Sequence, residues 1–458
     1  MFQNKKNIYF LGIGGIGMSA LARYFKAKGY HVAGYDRTQS DLTRQLQKEG
    51  MDIHYEDNIE QIPEDFRNPE DTLVVFTPAI PSSLNELLYF LEKGFLVLKR
   101  SQALGEITCS QRALCIAGTH GKTTTSTMTA HLLHHSQVDC NAFLGGISKN
   151  FEQNLLLSDK SDLVVVEADE YDRSFLNLSP YMAVITSVDA DHLDIYGSEE
   201  KYRAGFEEFS SLIQPGGVLL MKKGLPINPR IQKDVCLFTY AIDDADFHVQ
   251  NIRVQNGEIL FDFVTPDEVI ENVKLSVPAM VNIENGIAAM TLALLNGATP
   301  DEIRKAMATF AGVKRRFDFH IKRENLVFID DYAHHPQELK AFIKSLRMLY
   351  KDKKICGIFQ PHLYSRTRDF LDEFAHSLSM LDELILLDIY PAREKPIEGV
   401  NSQKLLEKVS IEKKRICTKS ELEEYIRNNN FEVLATIGAG DIELLIPRIK
   451  EILLNKKI

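Results

Sequence analysis

The chain has 458 residues, 44% hydrophobic and 26% charged, without a low-complexity tract, which excludes a disordered protein and leaves room for about three domain-sized cores. A formal net charge of −11 argues against a general nucleic-acid or anionic-membrane binder, and no apolar run is long enough to span a bilayer. Six cysteines, Cys109, Cys115, Cys140, Cys236, Cys356 and Cys417, are scattered with no C-x-x-C pair, and Met1–Lys6 leads into a strand instead of a signal peptide's apolar core, so the expected setting is a reducing cytoplasm.

In chain order, Asn7–Leu11 reads as a buried strand followed by Gly12-Ile-Gly-Gly-Ile-Gly17 and a helix with apolar residues at Ala20, Leu21 and Tyr24. Gly12, Gly14, Gly15 and Gly17 open a βαβ unit, and Asp36, at the end of the next strand, is placed to accept a ribose hydroxyl. This signature fits NAD and a nucleotide sugar alike, because both present a pyrophosphate to a helix N-terminus. Thr77 and Arg100 follow two further strands, Thr72–Phe76 and Phe95–Leu98, and read either as lining residues at strand ends or as a turn and a solvated charge.

The pattern restarts near Ser110. Ala113–Ala117 is an apolar strand that breaks into Gly118-Thr-His-Gly-Lys-Thr-Thr124, the short form of a phosphate loop. Gly118, Thr119, His120, Gly121 and Thr124 form the cradle, Lys122 supplies the charge for terminal phosphates, and Thr123 offers a hydroxyl to magnesium. The expected ligands are therefore a nucleoside triphosphate and Mg2+, the alternative being a plain glycine turn between strand and helix. Leu163–Glu167 ends in a carboxylate suited to the same cation, and Met182–Thr186 runs into acids around His192, which is either a metal ligand or a structural histidine.

Alternation between Phe247 and Val277 predicts a small antiparallel appendage, and a helix is expected from Asn282 to Leu295. Thr299-Pro-Asp-Glu302 is a capping box with proline at the first helical position. Lys314-Arg-Arg316 is a basic spot, either an exposed linker charge or an arginine for phosphates. The last stretch has strands near Leu326–Asp330, Lys354–Phe359, Glu383–Leu387 and Val433–Ile437, each followed by polar residues: Asp330–Pro336, Gln360–Thr367, Asp388–Arg393 and Gly438–Asp441. Several polar strand ends in one α/β array suggest a further face of a site.

Taken in order, these motifs resemble the Mur ligase family over the whole chain, and the N-terminal glycine loop looks like that of its alanine-adding members. The resemblance implies an α/β protein of three domains: a Rossmann-like one that binds the UDP-sugar (1–108), a P-loop ATPase-like parallel sheet with the antiparallel appendage (109–313), and a Rossmann-like one that binds the amino acid (314–458). It implies UDP-N-acetylmuramate and L-alanine as substrates, magnesium at Thr123, Glu167 and His192, Arg316 on the phosphate side, adenine at Asn282 and Asn285, and the amino acid near Tyr332, His334, His335 and Arg366. The chain departs from the family's usual Gly-x-His-Asn-x-x-Asn at Ala279-Met-Val-Asn-Ile-Glu-Asn285. Lys201 is the one lysine between Asp194 and Ser211, and a carbamylated lysine is left unassigned.

With no serine or cysteine nucleophile beside a base, phosphate energy is expected to pass straight to a substrate carboxylate, giving an acyl phosphate that an amine then attacks; Lys122, His192 and Arg316 are the candidate catalytic residues. An NAD-dependent oxidoreductase would leave the second phosphate loop unused. An ATP-binding switch would leave the last domain's strand ends unused. Within the family, a ligase that joins a recycled peptide to the same sugar shares most of these motifs. The sequence leaves the oligomeric state open.

Overall fold

The computed structural model describes residues 4–191, 193–255, 258–392 and 394–456, so His192 and Arg393 lie outside the described residues. Among the described residues the strands form four sheets. The chain folds as two units, Met1–Asn251 with Phe261–Val273 and Glu284–Phe310, and Ile252–Leu260 with Lys274–Ile283 and Ala311–Ile458.

In the first unit, β1 (Asn7–Leu11), β2 (His31–Tyr35), β3 (Asp52–His54), β4 (Thr72–Phe76) and β5 (Leu96–Lys99) form a parallel sheet in the order β3-β2-β1-β4-β5. Every residue of β1 is buried, as expected of a parallel strand covered on both faces. The order reverses between β1 and β4, so the glycine loop after β1 and Thr77 after β4 flank the crevice where such sheets bind ligands. Helix α1 (Ile16–Ala27) starts from that loop.

The second sheet holds β6 (Arg112–Ala117), β7 (Asn141–Phe143), β8 (Leu155–Leu156), β9 (Leu163–Glu167), β10 (Pro180–Ile185), β11 (Val218–Lys222) and β12 (Cys236–Tyr240), in the order β12-β11-β10-β6-β9-β7-β8. Only β8 runs antiparallel to its neighbour. β6 therefore lies between β9 and β10, and its phosphate loop emerges between their carboxyl ends. One apolar core takes Ile8, Phe10 and Val75 from the first sheet and Cys115, Val164 and Ile185 from the second. The helix Arg100–Cys109 passes from β5 almost directly to β6, so the two sheets share one unit.

The stretch expected as an appendage forms a three-stranded sheet of β13 (His248–Gln255), β14 (Glu258–Val264) and β15 (Val269–Leu275). The second unit contains β16 (Asp318–Lys322), β17 (Val327–Asp331), β18 (Ile355–Phe359), β19 (Glu383–Leu386), β20 (Lys413–Ile416) and β21 (Val433–Ile437), in the order β16-β17-β21-β18-β19-β20, with β16 antiparallel and the rest parallel. The four strands expected from the sequence are its inner ones. The two it did not mark are the edges, where charge replaces the apolar run: Lys413-Lys-Arg-Ile416 pairs on one side only. All six cysteines are free thiols, with Cys115, Cys140, Cys356 and Cys417 buried and Cys109 and Cys236 exposed.

On the outer face of the first sheet a buried polar group sits among aromatic rings. The Tyr9 hydroxyl donates to Glu86 Oε2 at 2.7 Å and lies 2.7 Å from His54 Nε2. Burial pushes the Glu86 carboxyl up to about 7. A carboxyl that resists ionisation in the fold stabilises it below the ordinary pKa, and that contribution disappears as pH rises to the folded value. Between about pH 4.5 and pH 7 the wild type should therefore lose up to about 3 kcal/mol of stability relative to Glu86→Gln. Urea denaturation of both proteins across that range checks this; parallel pH curves would show the carboxyl to be ionised throughout.

Candidate active site

The first loop is built around its own acid. Asp36 Oδ2 accepts from the Gly14 amide at 2.8 Å and Oδ1 from the Thr38 amide at 3.0 Å, so the carboxylate expected at a ribose braces the glycine turn in this structure. Arg100 lies over Gly17, with Nη1 2.9 Å from where a Cβ would stand, and reaches Asp169 at 3.3 Å. Lys99 pairs with Asp172 at 2.7 Å. Asp172 and Arg173 both take left-handed backbone conformations, with φ of 52° and 53°, which costs energy in non-glycine residues and is typical of segments held in place for function. Gly15, Gly17, Thr77, Arg100, Gly145, Glu167 and Asp169 line a cleft of about 280 Å³ between the carboxyl ends of the first two sheets.

The phosphate loop follows β6. Gly118 has φ of 136°, and a Cβ there would stand 2.0 Å from the Thr186 hydroxyl, so only glycine lets the loop turn beneath β10. Gly121 then starts the helix Lys122–His134 from a left-handed conformation, with no side chain capping its N-terminal amides. The sequence suggested that the loop's amides converge on phosphate. In the structure two of them are tied down instead: the Thr119 amide donates to the Ser187 carbonyl at 3.2 Å and the His120 amide to the Ser187 hydroxyl at 2.8 Å. The helix start is the part that presents N–H groups to an anion.

Lys122 is drawn back under the loop. Its Nζ lies 2.8 Å from Glu170 Oε2 and donates to the Gly118 carbonyl at 2.6 Å. Burial opposes its charge, but Glu170, Asp169 and Glu167 together outweigh that and raise its pKa, so it remains an ammonium. Burial also holds the Glu170 carboxyl above the usual range, an effect Lys122 only partly offsets. Tyr196 donates to the Glu170 carbonyl at 2.7 Å, and the Tyr202 hydroxyl lies 2.8 Å from that of Thr119, which donates to the Asp189 carbonyl. Asn285 Oδ1 accepts from Thr125 at 3.2 Å and packs against Gly121. This residue, expected at adenine, lies under the phosphate loop. Asn282, the other one, donates to the Val277 carbonyl at 3.2 Å.

Of the three residues expected at magnesium, the two described ones, Thr123 and Glu167, carry hard oxygens. The Glu167 carboxylate sits against Gly145, where a Cβ would stand 2.1 Å from Oε2, so the glycine leaves the carboxylate its seat. Thr123 is buried at the start of the helix. Among the described residues no three His, Cys, Asp or Glu side chains gather for a metal. One carboxylate and one hydroxyl fit a magnesium ion that takes its remaining ligands from phosphates and water.

In the second unit the polar strand ends do converge. Arg315 and Arg316 stack on the Tyr332 ring at 5.0 and 4.9 Å, and His334 lies 5.3 Å from the same ring and 6.0 Å from His362, which approaches Arg366 at 3.4 Å. Arg315 is committed to Asp330 and Glu443, whereas Arg316 reaches Glu338 only at 4.0 Å. Burial pushes the Asp331 carboxyl up to about 7, against the pull of Arg316. His335, expected beside the amino acid, acts as the N-cap of the helix Pro336–Leu349 and packs on Phe370 at 4.9 Å.

Three family models match: the Mur ligase family, catalytic domain, over residues 7–112; the Mur ligase middle domain over 116–293; and the Mur ligase, glutamate ligase domain over 315–448. The chain belongs to the Mur ligase family. It is 61% identical over 447 residues to the UDP-N-acetylmuramate–L-alanine ligase of Parabacteroides distasonis, covering 97% of each chain, and 55% identical over 451 residues to that of Porphyromonas gingivalis strain W83, covering 98% and 99%. The fold matches a UDP-N-acetylmuramate-alanine ligase of Thermotoga maritima with a TM-score of 0.81 at 26% identity over 97% of this chain and 98% of that one. A murein peptide ligase from Psychrobacter arcticus shares the fold with a TM-score of 0.70 at 21% identity, covering 99% and 100%.

For this Mur ligase, sequence reasoning did not mark Glu170 as the anchor of Lys122 or His362 as the neighbour of Arg366. Both stand inside motifs already marked by composition, and only packing separates them from the acids and histidines beside them. The buried pair has a measurable signature. Lys122→Ala leaves Glu170 without its cation and should destabilise the protein by about 3 kcal/mol, while Lys122→Ala with Glu170→Gln should recover most of that. Denaturant titration compares them; equal loss in both would put the cost on packing instead of charge.

Proposed function

We propose that the protein is an ATP-dependent amide-forming ligase that joins L-alanine to the carboxylate of UDP-N-acetylmuramate, releasing ADP and phosphate, in cytoplasmic synthesis of a peptidoglycan precursor. The observation that carries this reading is the shared cleft, in which the glycine loop of the first sheet and Glu167 of the second face one space in a single unit. An oxidoreductase would have no use for the second sheet's phosphate loop there.

The residue assignments are part of this proposal. Residues 1–108 hold the UDP-sugar through Gly12, Gly14, Gly15 and Gly17, with Thr77 and Arg100 at the crevice. Residues 109–313 hold ATP at Gly118, Thr119, His120, Gly121, Lys122, Thr123 and Thr124, with Asn282 and Asn285 on the helix that reaches the loop. Residues 314–458 hold the amino acid near Tyr332, His334, His335 and Arg366. Thr123, Glu167 and His192 would hold magnesium, which when bound neutralises phosphate charge.

Lys122 exchanges its contact with Glu170 for the terminal phosphates, an ammonium in either state. The helix start at Gly121 orients those phosphates, and Arg316 adds a further cation. The substrate carboxylate attacks the terminal phosphate to give an acyl phosphate and ADP; the amine of alanine attacks the acyl carbon, loses a proton and expels phosphate. Arg366 grips the amino acid's carboxylate as a fork.

ADP release in the presence of UDP-N-acetylmuramate, scanned across single amino acids and the recycled tripeptide, tests the assignment. L-alanine should be the preferred acceptor, and Arg366→Ala should raise the KM for alanine about tenfold or more while leaving that for the sugar nucleotide unchanged. Joining of the tripeptide with alanine ignored would replace this reading with the recycling ligase. Heavy oxygen in the substrate carboxylate should leave with inorganic phosphate; unlabelled phosphate at normal turnover would rule out the acyl phosphate.

A further inference from the structure

Asn154 lies just before β8 and is wholly buried. Its side chain uses both ends. The amide carbonyl accepts from Arg23 Nη1 at 2.7 Å, and the amide nitrogen donates to the Ile16 carbonyl at 2.5 Å and to the Ser19 hydroxyl at 3.1 Å. Arg23, itself buried, is neutralised by Glu49, which its Nε and Nη2 grip at 2.9 and 2.8 Å. The Asn154 backbone carbonyl accepts from the Leu144 amide at 2.9 Å. Leu144 is followed by Gly145, the residue that seats the Glu167 carboxylate.

Ile16 and Ser19 belong to the first turn of α1, immediately after the glycine loop. Leu144 and Gly145 lie just past β7, on the edge of the second sheet. Ile16, Leu144, Gly145 and Glu167 line the same cleft. One buried carboxamide therefore ties the start of α1 to the hairpin that places Glu167. Only a side chain that donates and accepts at once satisfies both partners: a carboxylate would face the Ile16 carbonyl with negative charge, and an aliphatic group would strand Arg23 and the helix turn.

We propose that Asn154 is a positioning residue for the ligation, holding the glycine loop in register with the β7–β8 hairpin so that a substrate carboxylate bound on the first sheet meets the phosphate bound on the second. The proposal rests on the assignment of the sugar nucleotide to the first glycine loop. The reaction needs its two atoms within near-attack distance, and an ångström of slack between the sheets costs rate without costing the affinity of either substrate alone.

The test separates binding from turnover. For Asn154→Ala, calorimetric affinities for UDP-N-acetylmuramate and for a non-hydrolysable ATP analogue, each measured alone, should stay within about twofold of wild type while kcat falls about tenfold or more. Asn154→Asp keeps an acceptor for Arg23 and loses the donor to α1, so its kcat should fall as far. Ser19→Ala removes one of the donor's two partners and should lower kcat about threefold at unchanged affinities; it decides the question if Asn154→Ala does not fold. Full turnover in Asn154→Asp, unchanged kcat in a folded Asn154→Ala or Ser19→Ala, or a parallel loss of both affinities would overturn the positioning role. Wild-type protein that fails to bind UDP-N-acetylmuramate would instead overturn the ligase assignment.

Discussion

A buried ion pair sets the state of the phosphate site. Lys122 cannot be taken from water without a partner, and Glu170 supplies it from the segment after β9, inside a shell closed by Tyr196 and Tyr202. The pair fixes the lysine as a cation before any nucleotide arrives. It also binds the loop after β6 to the acidic run after β9. The strained turn at Asp172 and Arg173 follows directly, and its ion pair to Lys99 carries the constraint to the first sheet.

Further contacts join the two sheets within one unit. Arg100 and Lys99 lie at the end of β5 and meet Asp169 and Asp172; Arg23 of α1 meets Asn154 from the far side of the second sheet; and an apolar core runs between. The polar contacts are few and specific, the apolar ones broad. Burial of the core gives the stability, and the charged pairs give the register.

In the second unit, too, packing sets which partner each side chain takes. Arg315 and Arg316 are adjacent, chemically identical and both over the Tyr332 ring, yet Arg315 is paired with Asp330 and Glu443 while Arg316 reaches Glu338 only at 4.0 Å. His334 and His335 divide in the same way, one directed into the aromatic and cationic cluster and one capping a helix. Neighbouring positions of one motif thus take opposite tasks.

The sequence alone determined the inner strands of the last sheet, both glycine loops and the order of motifs along the chain, because apolar runs ending in glycine or acid are local patterns that parallel α/β sheets require; it did not mark the inner strands Asn141–Phe143 and Val218–Lys222 of the second sheet. Edge strands such as Lys413–Ile416 escaped it, since one-sided pairing imposes no apolar run. Which acid holds Lys122, which arginine is structural, that Asp36 braces its own loop and that Asn154 joins α1 to a hairpin 138 residues away from Ile16 were decided only in three dimensions. Each is a choice among chemically equivalent side chains, and such choices are made by burial and by which partner the tertiary fold brings within hydrogen-bonding reach.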